Sequence, residues 1–210
     1  GETKKNILND LLKRSPNHYG EYEETVNDII RQVRERGDEA VFAYTEQFDQ
    51  CRLTAENLVV TEAETEEAYQ ALDEALIGAM KRSAENIKAY HEKQIRQSFF
   101  TTKPDGSILG QRITPLERAG VYVPGGKAAY PSSVLMNVVP ARVAGVAEII
   151  MTTPPGKDGK VNPGTLVAAD IAGVDRIYKV GGAQAIAAMA FGTQSVPKVD
   201  KITGPGNIFV

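Results

Sequence analysis

The chain has 210 residues, 42% hydrophobic and 24% charged, the usage of an ordinary globular protein with one large domain or two small ones. A net charge of −3 and a sequence pI near 5.6 argue against nucleic acid as the main partner, because neutralising phosphates takes a basic face. A single cysteine, Cys51, excludes an internal disulfide and points to a reducing compartment; no apolar run nears the roughly 20 residues of a membrane span, no signal peptide opens the chain, and the expected class is a soluble cytoplasmic protein.

The first half reads as helical and charged. Tyr22, Val26, Ile29, Ile30 and Val33 recur at helical spacing with acidic and basic residues between them. Gly37 interrupts, and Val41, Tyr44 and Phe48 resume the period. The segment NLVVT, 57–61, is a short strand candidate, and the acidic run from Glu62 to Glu67 reads as a helix start carrying its preferred negative charge. Leu72, Leu76, Met80, Ala84 and Ile87 predict a long helix over 73–97. Residues 98–114 read as a hairpin, FFTT and SILGQRIT joined by the Lys103-Pro104-Asp105-Gly106 turn. No catalytic cluster is legible in this half.

After Pro115 strand-like runs alternate with alanine-rich helical runs. Strands are expected at 120–123, 148–152, 176–180 and 201–203, and helices at 132–144, 163–172 and 183–191. That alternation predicts a Rossmann-like α/β fold, a parallel sheet covered by helices, with 1–114 as a mainly helical segment and 115–210 as the nucleotide-binding domain. Ser132 and Ser133, after Pro131, read as helix caps.

Ligands of such sheets bind at the carboxyl ends of the strands. All four turns there are rich in glycine or proline: 122–127 (YVPGGK), 153–157 (TPPGK), 180–184 (VGGAQ) and 204–207 (GPGN). Glycine lets backbone approach a ligand, and a following helix start suits phosphate. The G-x-G-x-x-G fingerprint and the P-loop are both absent. His18 and His91 stand far apart with no cysteine or paired carboxylate nearby, a poor metal set, and Cys51 has no adjacent base to activate it. The polar side chains in the turns are Tyr122, which could stack on or hydrogen-bond a cofactor, and Gln184 and Asn207, each a donor and an acceptor. Each also has a plainer role open to it, stabilising its own turn.

At these turns the sequence resembles histidinol dehydrogenase. The likeness is carried by GVYVPGGKAAYPSSVLMNVVPARVAG (120–145), by VGGAQAIAAMAFGTQSVPKVDKITGPGN (180–207) and by RERGDEAVFAYTEQFD (34–49), so it covers nearly the whole chain. The resemblance implies an aldehyde-dehydrogenase-like plan and a four-electron oxidation of L-histidinol through the aldehyde to L-histidine, using two NAD molecules in turn and a zinc ion that anchors the substrate. It implies Tyr122, Gln184 and Asn207 as the NAD contacts. It places the zinc ligands, the substrate ligands and a Glu-His acid/base pair further along the family chain, past the GPGN turn, so that no catalytic residue and no metal ligand is expected here. The sequence ends on Ile208-Phe209-Val210 directly after that turn, and the expectation is an amino-terminal half, inactive alone, of an enzyme that works as a homodimer. Two other readings stay open: a non-catalytic nucleotide-binding module, and another aldehyde-dehydrogenase-like oxidoreductase, which would need a cysteine nucleophile.

Overall fold

The computed structural model describes residues 20–125 and 130–206. Helix α1 (Gly20–Arg36) and helix α2 (Asp38–Asp49) meet at Gly37, followed by α3 (Glu62–Gln70) and α4 (Glu74–Glu92). A hairpin of β1 (Phe99–Thr102) and β2 (Ile108–Gln111) comes next. Then strand and helix alternate: β3 (Arg118–Tyr122), α5 (Pro131–Val143), β4 (Glu148–Thr152), α6 (Pro163–Ala172), β5 (Arg176–Tyr178), α7 (Gly182–Phe191) and β6 (Lys201–Thr203).

The four later strands form one parallel sheet in the order β5-β4-β3-β6. The chain steps from β3 to β4 to β5 on one side, then returns to place β6 on the other side of β3. The reversal of direction lies between β3 and β6, where such sheets hold their ligands. The period of two in each strand sorts side chains into two cores. Ala119, Val121, Val123, Ile149, Met151 and Ile177 pack under α5 and α6, with Ala68 of α3 and Met80 of α4. Tyr122, Ile150 and Tyr178 face the opposite way, against α7, with Ile29 and Val33 of α1 and Ala40 and Val41 of α2. Both cores therefore combine residues from before and after Pro115. The α/β architecture expected from the alternating runs is the one observed.

Local chemistry explains the element ends. Thr61 caps α3 with a full capping box: its hydroxyl accepts from the Glu64 N–H and the Glu64 carboxylate accepts from the Thr61 N–H. The acidic run is thus a helix start, as its charge suggested. Asn162 caps α6 ahead of Pro163, and Gly173 closes it in the left-handed region.

Several expectations need correction. Residues 57–61 form no strand; Val59 makes one antiparallel bridge to Tyr178 at the sheet edge, because Asn57 turns the chain back, its side chain accepting from the Thr54 N–H at 2.7 Å. The long helix begins after Asp73 but stops at Glu92, where the Lys93 and Gln94 N–H groups bond back to Tyr90 and His91. Ser132 and Ser133 do not cap α5: Tyr130 is the cap residue, Pro131 takes the first helical position, and the serines fall inside the first turn. The strands predicted at 120–123 and 176–180 are Arg118–Tyr122 and Arg176–Tyr178. The hairpin is present with its Lys103–Gly106 turn, and all eight of its strand residues are exposed. Among the described residues no helix is long and apolar enough to cross a membrane.

Candidate functional site

Over the carboxyl ends of β3, β4 and β5, on the α7 side, lies a cavity of about 350 Å³. Its floor is Tyr122, Pro124 and Gly125 after β3, Pro154 after β4, and Gly182, Ala183 and Gln184 at the start of α7. Its roof is Thr25 and Ile29 of α1 with Phe48 and Asp49 at the end of α2. Three of the four glycine-rich turns therefore converge on one space. The fourth adjoins it: at Gly204, φ is +137° and a Cβ would fall on the carbonyl group of Tyr122. The turns also pack on one another, since a Cβ at Gly125 or at Gly181 would stand 2.5 Å from the Pro154 ring. Those two glycines serve close packing of turn on turn, where the sequence suggested close approach to a ligand.

Tyr122 is buried, and its hydroxyl accepts from the Gly182 N–H at 3.2 Å, which ties the β3 turn to the first N–H of α7. Burial pushes its phenol above the ordinary value. Gln184 is the third residue of α7, 1% exposed, and neither its amide nitrogen nor its amide oxygen has a partner. Asp49 ends α2, and its Oδ2 is likewise buried without a partner. Burial raises the Asp49 carboxyl from 3.8 to about 6. Four such orphaned side-chain atoms occur among the described residues, and three line this one cavity. The fourth, the Tyr178 hydroxyl, lies elsewhere in the core. Buried polar groups are paired in the great majority of cases, so a cluster of unpaired ones facing a cavity marks a place for a ligand's donors and acceptors.

Of the predicted site residues, the structure brings Tyr122 and Gln184 to the same cavity, while Asn207 lies outside the described residues. Asp49, Phe48, Thr25 and Ile29 were not anticipated, because the helical half carries no recognisable motif. One local signal did exist: an aspartate at a helix carboxyl end opposes the dipole there and so contributes nothing to the helix. Cys51, two residues on, is buried, and burial first and Asp49 second push its thiol up, the opposite of an activated nucleophile. A larger groove of about 830 Å³ runs between α4 and the α5–α6 pair, lined by Tyr69, Lys81, Lys88, Arg142 and Asp170. It is away from the strand ends, and the orphaned atoms are not in it. We therefore take the smaller cavity as the site. Among the described residues no group of three or more His, Cys, Asp or Glu stands together in a metal-holding arrangement.

The sequence profile described as Histidinol dehydrogenase matches residues 12–210. The chain belongs to the histidinol dehydrogenase family. The histidinol dehydrogenase of Clostridium acetobutylicum is 55% identical over 200 residues, 95% of this chain and 46% of that protein. That of Bacillus subtilis is 56% identical over 190 residues, 90% of this chain and 44% of its own. The crystal structure of histidinol dehydrogenase from Elizabethkingia anophelis superposes with a TM-score of 0.84 at 36% identity, covering 89% of this chain and 43% of that one. The chain thus spans less than half the length of the histidinol dehydrogenases it matches.

Proposed function

We propose that this chain carries the dinucleotide side of a histidinol dehydrogenase, which oxidises L-histidinol to L-histidine with two NAD molecules, each accepting one hydride, while water supplies the second carboxylate oxygen. The observation that supports it is the cavity at the sheet's carboxyl edge with its unpartnered amide and carboxylate atoms. NAD, when bound, supplies the hydride acceptor; the residues here bind and orient it. Gln184 offers one donor side and one acceptor side to it, Tyr122 holds the β3 turn against α7, and Pro124, Pro154 and Phe48 give apolar walls. Asn207 would add a third polar contact from the last turn. The described residues do not fit a zinc ion. In this reading the zinc, the substrate ligands and the acid/base pair come from the part of the family sequence that this chain does not match. The homodimer and the cytoplasmic setting belong to the same reading. The exposed Phe99, Phe100, Ile108 and Leu109 of the hairpin support an assembled state, since apolar surface of this kind is normally covered.

Calorimetric titration of NAD into the purified chain at pH 8 tests the proposal. Saturable binding is expected, weakened about tenfold by Gln184→Ala, the equivalent of one or two lost hydrogen bonds. Turnover of histidinol is not expected from the chain alone. Absence of NAD binding at millimolar concentration would overturn the reading. A rate on histidinol near that of a complete enzyme would overturn the division of labour.

A further inference from the structure

We propose that Asp49 is a further ligand-contacting residue of this site, the buried Oδ2 of its half-buried carboxylate accepting a hydrogen bond from a hydroxyl or amino donor of a nucleoside held against the Gln184 amide. The proposal rests on the cofactor reading above and adds a residue from the helical half to it.

The Asp49 Oδ2 makes no contact that serves the fold. Asp49 ends α2, where a carboxylate meets the negative pole of the helix. No cation pairs with its Oδ2 and no N–H or hydroxyl among the described residues donates to it. Neighbouring acids show the usual pattern: Asp38, at the other end of the same helix, accepts from both the N–H and the hydroxyl of Ser195. A carboxylate oxygen kept buried and unpaired is a cost to the folded state. Such costs concentrate at functional sites.

Its position gives the cost a use. Asp49 and Gln184 line the same cavity from opposite sides, one from the α2 roof and one from the α7 floor. A carboxylate only accepts hydrogen bonds, whereas the amide does both. A ligand placed between them must therefore carry at least one donor toward Asp49 and may exchange both kinds with Gln184. A ribose diol meets that demand, and so does an amino or carboxamide nitrogen on a base. The cavity volume of about 350 Å³ suits one nucleoside portion of a dinucleotide.

The titratable groups that feel Asp49 are Tyr122 of β3 and Cys51 of the following loop. Burial raises both above their ordinary values of 10.0 and 9.0. A transition near pH 6 in ligand binding therefore belongs to the carboxylate. The described lining from α1 and α7 contributes no ionisable side chain.

The test is NAD affinity for wild type, Asp49→Asn and Asp49→Ala at pH 8 and pH 5, with far-UV circular dichroism confirming the fold in each sample. If only the ionised carboxylate accepts the ligand, about one molecule in ten is competent at pH 5, and wild-type affinity falls about tenfold from pH 8. Both variants bind about tenfold or more weakly at pH 8 and show no such fall. Competition with adenosine and with nicotinamide riboside identifies the donor-bearing half: the one that displaces NAD from wild type loses its advantage in Asp49→Ala. Variants that bind NAD as wild type does, with the same pH profile, overturn the role of Asp49 while leaving the cofactor reading intact. Wild type that binds no NAD overturns both. Displacement by inorganic phosphate with neither nucleoside competing also overturns the proposal.

Discussion

Replacing Asp49 by asparagine should make the protein more stable while making the site worse. The ionised carboxylate is disfavoured in the folded protein, where burial raises it from 3.8 to about 6. Each tenfold in proton affinity is worth about 1.4 kcal/mol, which sets a ceiling of about 3 kcal/mol; the carboxylate is only half-buried, so solvent screening brings the cost of the charge to about 1.5 kcal/mol once it is ionised in both states. Below pH 3.8 the group is protonated, folded or unfolded, and costs nothing. Between 3.8 and 6 the unfolded chain ionises first, and stability is lost progressively as pH rises through the folded value. Above that the loss is complete. The loss is about 0.5 kcal/mol at pH 4.5 and about 1.5 kcal/mol at pH 8. The asparagine amide brings its own unpaired atoms, at about 1 kcal/mol or more independent of pH. The net gain of Asp49→Asn at pH 8 is then about 0.5 kcal/mol, and it shrinks by about 1 kcal/mol on going to pH 4.5. Urea unfolding followed by circular dichroism at the two pH values measures both quantities, provided the dependence on urea is unchanged between the proteins. A variant less stable than wild type at pH 8, or a difference that does not grow with pH, would refute the idea that Asp49 is a charge held at the expense of the fold.

Other substitutions test the frame around the site. Lys179, buried after β5, donates to Glu64 of α3 at 2.5 Å; Lys179→Met should cost about 2 kcal/mol in urea unfolding, because Glu64 keeps only its Thr61 contacts. Burial pushes the Glu64 carboxyl up, but the hydrogen bonds from Lys179 and Thr61 hold it net below its ordinary 4.5. Its stabilisation is therefore present above pH 4.5 and lost as pH falls through the lowered value, and the Lys179→Met penalty should fade in acid. Gly204→Ala puts a side chain at φ +137° against the Tyr122 carbonyl; it should cost about 2 kcal/mol and weaken NAD binding, since it moves the turn beside the cavity. Asp38→Ala removes the acceptor for the Ser195 N–H and hydroxyl, the latter at 2.5 Å, and should cost about 1.5 kcal/mol without changing NAD affinity.

The sheet was legible because its grammar is local: apolar runs such as 148–152 and 176–178 are each followed by a helix, and α6 carries its own start and stop signals at Asn162-Pro163 and Gly173. Elements whose ends depend on partners carry no such local signal. Residues 57–61 have strand composition, yet the Asn57 turn leaves them one bridge, and the α5 start is set by Pro131 ahead of the serines. The same division holds for the site. Tyr122 ends β3 and Gln184 lies in the first turn of α7, positions fixed by the parallel sheet, so their meeting could be reasoned from strand order. Asp49 reaches the cavity only because α1 and α2 fold over α7, a contact between distant parts of the chain that no short-range pattern encodes. The one local sign, an acid at the wrong end of a helix, is weak beside the many acids of this segment.

We place the dinucleotide in the cavity above β3, β4 and β5. Amide chemical shifts of the isotopically labelled chain, followed during a titration with NAD, test this placement residue by residue. Saturable changes are expected at Asp49, Gly125, Gly182, Ala183 and Gln184. Changes centred instead on Lys81, Lys88 and Arg142 in the larger groove, or none at millimolar NAD, would contradict the placement.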